Sequence, residues 1–305
     1  MPRSCIGRVA IVTGASRGIG QAIACRLAAE GARVALLGRP ADTRDTRLAG
    51  SLEQTVEMLR AVSEAPPLVV TTDIADPSLD KAGIVRRVAG EFEAAPDVLV
   101  NVAAAPREFG GGKPPIPFAE TPREWFQRSV DVNVWAAWDL AKQVVPGMRE
   151  RGAGWILTIS SIQAEPRPVP PARGGAGALG GACLYGGTKA FLDRIATGAA
   201  QELYADNIAV NNLSPTGPVR TPLSSTVVGD LPDDAWEPME TMVEAALALC
   251  TGDPRKLTSR IAYSLPLLAE LERPVYSLDG GSLFEGWQPD ADDPRKRMTG
   301  YLAGH

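Results

Sequence analysis

Histidine is almost absent from this chain of 305 residues: its one copy, His305, is the last residue. Ser-His-Asp triads and His/Cys zinc sites depend on imidazole, so neither chemistry is expected. Cysteine is scarce as well. Cys5, Cys25, Cys183 and Cys250 are scattered with no C-x-x-C pair, a pattern of free thiols in a reducing cytoplasm rather than a disulfide framework. No apolar run reaches the roughly 18 residues that a membrane span needs. Strand-like sequence starts by Val9, which predicts that no signal peptide precedes it. The net charge is −5 and no long basic block occurs, which weighs against nucleic acid as a partner. The expectation is a cytoplasmic protein with a small-molecule partner, and neither membrane nor nucleic acid.

What the chain does have is alternation. Short apolar runs at 9–12, 33–37, 68–72, 98–100, 155–159 and 208–213 read as strands, and 275–278 as a last strand closing the sheet. Helical patterns cover 51–62, 79–92, 122–148, 185–204 and 238–249, the third opened by Thr121-Pro122 with proline at the first helical position. Strands that are apolar throughout, separated by helices, predict an α/β fold: a doubly wound parallel sheet of about seven strands with helices on both faces. With 45% hydrophobic residues the chain can bury a sizeable core, and the alternation favours one domain over 1–305. The segments 106–117 and 163–181 are rich in Gly and Pro and read as loops. A flexible tail is expected at about 288–305.

The first strand runs directly into Thr13-Gly14-Ala15-Ser16-Arg17-Gly18-Ile19-Gly20, and a helical pattern with Ile19, Ile23 and Leu27 on one face follows at once. A strand feeding such a turn gathers backbone N–H groups and a helix N-terminus around one point, which attracts phosphate. Glycine is needed where φ is positive or where the backbone must approach a ligand closely. The spacing is G-x-x-x-G-x-G, not the commoner G-x-G-x-x-G.

Gly14, Asp73, Asn101, Ser161 and Pro215 all fall at or just after expected strand ends. Parallel strands with right-handed crossovers place those ends along one edge, where ligands bind in such sheets. Tyr185 and Lys189 stand four residues apart on an expected helix and so share a face. A nearby cation favours the ionised phenol and lowers its pKa from about 10, giving a usable general acid/base. In isolation, Y-x-x-x-K is also compatible with a partly buried tyrosine beside a solvated lysine.

The glycine turn, Asn101, Ser161 and Tyr185-x-x-x-Lys189 occur together and in order. In this the chain resembles the short-chain dehydrogenase/reductase superfamily in its compact single-domain form, from Gly7 to about Gly281. The resemblance implies a Rossmann fold and a catalytic tetrad of Asn133, Ser161, Tyr185 and Lys189. Tyr185 would protonate the carbonyl oxygen in reduction or take the hydroxyl proton in oxidation, and Ser161 would hold the same oxygen in line. Lys189 would bind the nicotinamide ribose and depress the Tyr185 pKa, and Asn133 would hold a water that relays protons. Ser160 is the alternative to Ser161, because adjacent strand residues point to opposite faces. By the same resemblance Gly14, Ser16, Arg17, Gly18, Ile19, Gly20, Arg39, Asn101 and Ala103 line the cofactor, with Tyr185 and Lys189. Asp73 would bond the adenine amino group, and Ile74 would lie against the ring.

NAD-preferring relatives end the second strand in an acidic residue that binds the ribose 2′-hydroxyl. Here that position is Gly38, Arg39 follows, and Arg17 lies in the glycine turn. Two guanidinium groups suit a 2′-phosphate, so NADP(H) is expected over NAD(H); the alternative is two solvated surface arginines. The chain departs from the family pattern in three places. Asn101-Val102-Ala103-Ala104 replaces the usual Asn-Asn-Ala-Gly. The turn after the sixth strand is stretched to Pro215-Thr216-Gly217-Pro218-Val219-Arg220-Thr221, of which Pro215, Gly217, Val219 and Thr221 are expected to touch the cofactor. And 23 residues separate Ser161 from Tyr185, a longer segment than usual, read either as a wall of the substrate cleft or as a surface loop.

A substrate lid is expected at about 218–260. Leu223, Val227, Val228, Leu231, Trp236, Met239 and Met242 there suggest a hydrophobic substrate, or else ordinary helix core. Ketosteroids, 3-oxoacyl thioesters, cyclic ketones and terpenoid alcohols all fit. The resulting expectation is an NADP(H)-dependent oxidoreductase interconverting a hydrophobic ketone and a secondary alcohol. The alternatives are a non-catalytic NADP(H)-binding regulator of the same fold and an epimerase or dehydratase, whose relatives more often carry G-x-x-G-x-x-G. The family's habit of pairing its two long helices, here 122–148 and 182–204, implies a homotetramer or dimer. Trp135, Trp138 and Leu140 would serve that interface or the core.

Overall fold

The computed structural model describes residues 3–40, 50–105, 116–166, 183–228 and 231–287. Seven strands form one parallel sheet: β1 (Val9–Thr13), β2 (Arg33–Gly38), β3 (Leu68–Thr71), β4 (Val98–Asn101), β5 (Gly154–Ile159), β6 (Ile208–Ser214) and β7 (Ile261–Tyr263), in the order β3-β2-β1-β4-β5-β6-β7. The helices are α1 (Gly18–Ala29), α2 (Leu52–Val62), α3 (Lys81–Phe92), α4 (Arg123–Val130), α5 (Ala136–Arg151), α6 (Cys183–Leu203), α7 (Pro222–Val228), α8 (Met239–Thr251) and α9 (Ser264–Glu270).

Alternate residues of each strand feed two cores. Ala10 and Val12 pack with α1, α2, α8 and α9, while Val9 and Ile11 pack with α3, α5 and α6. This is why the strands are mostly apolar: both faces are covered, and each fully buried Ile, Leu or Val contributes about 1.5–3 kcal/mol. After β3 the chain crosses back past β1 to lay down β4. That reversal opens a crevice above the carboxyl ends of β1 and β4, where the glycine turn sits.

Two expectations need correction, and one open alternative is decided. The closing strand is not 275–278. The sheet ends on Ile261–Tyr263, paired with Asn212, Leu213 and Ser214, whereas Tyr276 makes only an isolated antiparallel bridge to Leu283 in a tight turn around Gly280. A three-residue strand running straight into α9 carries too little pattern to be read from sequence.

The helix expected over 122–148 is interrupted. Pro122 caps α4 from outside it, and Asp131–Trp135 widens into a π turn before α5 resumes. Finally, Met242 is fully buried against the core and Met239 packs beside it, because α8 lies on α1 and α9. Those two methionines are core rather than lid.

Candidate active site

The glycine turn has the backbone its residues allow. Gly14 (φ +66°) and Gly18 (φ +55°) occupy the left-handed region. A Cβ on Gly14 would come within 2.8 Å of the Ala103 nitrogen, and one on Gly20 within 2.4 Å of the Gly14 oxygen. Thr13 ties the turn to β4 by accepting from the backbone N–H of Val102 (3.0 Å) and Ala103 (3.2 Å) through its hydroxyl. Among the described residues no side chain caps α1 and no carboxylate stands in its first turn, which leaves its opening N–H groups to an anion. Ser16, Arg17 and Ile19 are half-buried around this point. Thr221 reaches the same place from the far side: its side chain lies 3.1 Å from where a Gly18 Cβ would be. These features fit a dinucleotide pyrophosphate.

Beyond β2, Arg39 is exposed. Asp73 accepts from Arg128 at 2.6 Å and from the Ala75 N–H at 3.1 Å. Burial raises its carboxyl, but the Arg128 bond, the Ala75 bond and the charges of Arg128 and Arg39 outweigh it and hold the pKa below the usual range. Ile74 is buried beside it. Asn101 ends β4 with its side-chain amide buried, and among the described residues neither amide atom has a hydrogen-bond partner.

Asn133 lies in the π turn, a widening that often marks functional sites. Its Oδ1 accepts from the Ala105 N–H at 2.8 Å, and its Nδ2 donates to the Thr188 hydroxyl at 3.0 Å. Thr188 in turn donates to the Tyr185 carbonyl at 2.7 Å. At the end of β5, Ser161 is half-buried and accepts from the Gln163 N–H at 3.2 Å. Ser160 is buried and donates to Asp193 at 2.8 Å. The two serines thus face different surroundings, with Ser161 the more accessible.

Tyr185 and Lys189 share one face of α6, with Lys189 Nζ 5.6 Å from the centre of the tyrosine ring. Lys189 is buried and donates to the Ile159 carbonyl at 2.7 Å. Burial pulls its ammonium down to about 8, against the opposing charge of Asp193.

The stretched turn after β6 is held by a residue the sequence reading missed. Glu237 is 5% exposed. It accepts from the backbone N–H groups of Thr216 (2.6 Å) and Gly217 (3.0 Å) and from the hydroxyls of Ser264 (2.5 Å) and Thr241 (3.1 Å). Burial raises its carboxyl in spite of these bonds. Val219 is buried and bridges to Glu237, while Pro215 and Gly217 are half-buried. Leu223, Leu231 and Trp236 are half-buried nearby in sequence, and the Arg220 guanidinium lies 5.0 Å from the Trp236 ring centre. The side chains of Val227 and Val228, most of the 162–184 segment and the tail from 288 lie outside the described residues.

Arg128, Thr188, Asp193 and Glu237 had not been singled out. Asp193 alone carried a readable signal: it continues the spacing of Tyr185 and Lys189 by one more helical turn.

A family model described as short chain dehydrogenase matches residues 8–231. The 7alpha-hydroxysteroid dehydrogenase of Escherichia coli (strain K12) is 29% identical over 230 residues, 74% of this chain and 76% of that protein. The chloroplastic NADPH-dependent aldehyde reductase-like protein of Arabidopsis thaliana is 32% identical over 224 residues, 72% of this chain and 75% of its own. The crystal structure of a short-chain type dehydrogenase/reductase from Mycobacterium marinum superposes with a TM-score of 0.68 at 23% identity, covering 86% of this chain and 95% of the other.

Proposed function

This chain belongs to the short-chain dehydrogenase family, whose members act on CH–OH and C=O groups, and we propose that it interconverts a hydrophobic ketone and a secondary alcohol with NADP(H). The observation that carries this reading is the placing of Tyr185 and Lys189 on one face of α6, beside the accessible Ser161 at the end of β5. When bound, the nicotinamide supplies or accepts the hydride. The protein does the rest. In reduction the Tyr185 hydroxyl gives its proton to the substrate oxygen, and in oxidation the phenolate takes it back. The Ser161 hydroxyl bonds the same oxygen and fixes its line of approach. The buried Lys189 ammonium favours the phenolate and would bond the ribose of a bound cofactor. Asn133 holds a water on the proton route to solvent.

Gly14, Ser16, Arg17, Gly18, Ile19, Gly20 and Thr221 would surround the pyrophosphate, and Asn101, Ala103, Pro215, Gly217 and Val219 would border the nicotinamide half. Asp73 and Ile74 take the adenine. The preference for NADP(H) rests on Gly38, where a carboxylate would otherwise bind the ribose, on Arg39 after it and on Arg17 in the glycine turn. The Arabidopsis relative is named for NADPH.

A hydrophobic substrate is supported by Leu223 and Trp236 near the turn and by the steroid in the name of the Escherichia coli relative. Phe126, Trp135, Trp138 and Phe191 are roughly half exposed on α4 to α6, which supports a homo-oligomer paired through these helices; Leu140 belongs to the core. Among the described residues no helix is long and apolar enough to cross a membrane, and the cysteines are free, in keeping with the cytoplasm.

The test follows NADPH oxidation across a panel of hydrophobic ketones, 7-ketosteroids included, with Tyr185→Phe in parallel. Turnover that the variant loses supports the reading. Turnover that survives in the variant overturns the mechanism through Tyr185, and binding of NADPH with no turnover of any ketone or alcohol overturns the reading in favour of a regulator.

A further inference from the structure

Three residues of α6 repeat at one-turn intervals on one face: Tyr185, Lys189 and Asp193. The first two belong to the reaction proposed above. Asp193 has no role in it, yet it is buried, at 7% exposed. Its Oδ1 accepts from the Ser160 hydroxyl at 2.8 Å and from the Asn212 Nδ2 at 2.7 Å.

The end of β5 is thereby stapled to α6 twice, at consecutive residues. Ile159 takes the Lys189 ammonium on its carbonyl (2.7 Å), and Ser160 gives its hydroxyl to Asp193. The Ser160 N–H also bonds the Leu213 carbonyl at 2.8 Å, so β6 is part of the same clamp. The next residue is Ser161. A buried carboxylate one turn from a buried ammonium also acts on its charge at a distance, because little water screens the pair.

We propose that Asp193 is a positioning residue of the active site: its carboxylate seats the strand end that presents Ser161 and holds Lys189 in its charged form beside Tyr185. This rests on the proposed function. Burial raises the Asp193 carboxyl, and the bonds from Asn212 and Ser160 and the charge of Lys189 pull it back, with Glu165 opposing them. The groups facing it from other elements are Ser160 just after β5, Asn212 on β6 and, from the turn after β5, Glu165. Glu165 itself accepts from the Tyr263 hydroxyl at 2.6 Å. Asp193 is thus the anion set against the low-lying Lys189.

Asp193→Asn separates the two roles, since the amide oxygen still accepts from Ser160 and Asn212 while the charge is gone. Loss of a nearby negative charge makes every proton on the Tyr185–Lys189 pair easier to remove. The apparent pKa values in the pH profile of kcat/KM for alcohol oxidation therefore move down, by about 1 unit. Asp193→Glu returns them toward the wild-type profile.

Asp193→Ser also removes the charge, with a smaller side chain whose hydroxyl can still accept, so it shifts the profile the same way. It serves if the asparagine variant does not fold, with thermal unfolding reporting the fold of each. A profile that stays in place in the folded variants overturns the inference. Tyr185→Phe keeps this apart from the reading beneath it: turnover lost there, with an unmoved Asp193→Asn profile, sinks the role of Asp193 alone. Turnover that survives Tyr185→Phe sinks the mechanism through Tyr185 in the proposed function.

Discussion

Asn133 donates its side-chain N–H to the Thr188 hydroxyl at 3.0 Å, which joins the π turn between α4 and α5 to the helix that carries Tyr185 and Lys189. Thr188 passes the connection on to the Tyr185 carbonyl, and the Asn133 oxygen is occupied by the Ala105 N–H. One buried amide therefore sets the spacing of three segments. Asn133→Ala leaves the Ala105 N–H and the Thr188 hydroxyl without that partner, at a cost of about 1–3 kcal/mol. The expected outcome is a lower midpoint of thermal unfolding together with a kcat reduced by more than the stability loss explains. A variant with unchanged kcat would mean that the amide is structural only.

The glycine turn gives the sharpest steric prediction. At Gly20 an added methyl group would sit 2.4 Å from the Gly14 oxygen, and backbone is what must move. Gly20→Ala is expected to weaken NADPH binding by an order of magnitude or more, since the approach of helix to turn is what aims the N–H groups. Fluorescence titration of NADPH measures this directly. Affinity equal to wild type would show that the turn opens freely.

Lys189 makes stability depend on pH in the alkaline range. Its folded-state pKa is lowered from 10.5 to about 8, so between those values the unfolded chain binds more protons than the folded one. Stability on this account rises with pH across that window. Below about pH 8 the buried charge costs the fold about 3 kcal/mol, from 1.36 kcal/mol per pKa unit. Lys189→Met removes the titration. Its stability relative to wild type, measured by urea unfolding, should therefore be greatest near neutral pH and shrink toward pH 10.5, while turnover is lost throughout. A difference independent of pH would contradict the depressed pKa.

How far the sequence could be read follows from the range of the forces involved. β1 to β6 and α1 were legible because their apolar residues fill two cores at fixed spacing, and the glycine turn because φ and close approach leave few residue choices. The π turn was not, because widening a helix by one residue changes no side-chain pattern that can be read locally. Ile261–Tyr263 was missed because three residues give no periodicity. Asp193 could have been found by extending the Tyr185–Lys189 spacing. Glu237 could not: it meets Thr216 and Gly217 across about 20 residues of chain, and nothing near it announces a buried anion.

Arg39 tests the cofactor preference. It is exposed and follows Gly38 at the end of β2, where the ribose of a bound dinucleotide would lie. A charge-assisted bond to a 2′-phosphate contributes about 1.5–3 kcal/mol, so Arg39→Ala should raise KM for NADPH about tenfold or more and leave KM for NADH nearly unchanged. Equal effects on both cofactors would remove Arg39 from the phosphate site and shift the burden to Arg17.

Glu237 holds the turn after β6 in place. The N–H groups of Thr216 and Gly217 point inward to Glu237, and buried N–H groups must be paired. The Glu237 carboxylate accepts both, and its other oxygen takes the Ser264 and Thr241 hydroxyls. Glu237→Gln can satisfy only part of this set, because its amide nitrogen is a donor set among donors. Destabilisation of about 1–3 kcal/mol is expected from the mismatch, read by urea unfolding. The same change should raise KM for NADPH, since the turn that presents Gly217 and Val219 loses its anchor. If stability falls while KM for NADPH stays at the wild-type value, the turn is held for the sake of the fold and not of the cofactor.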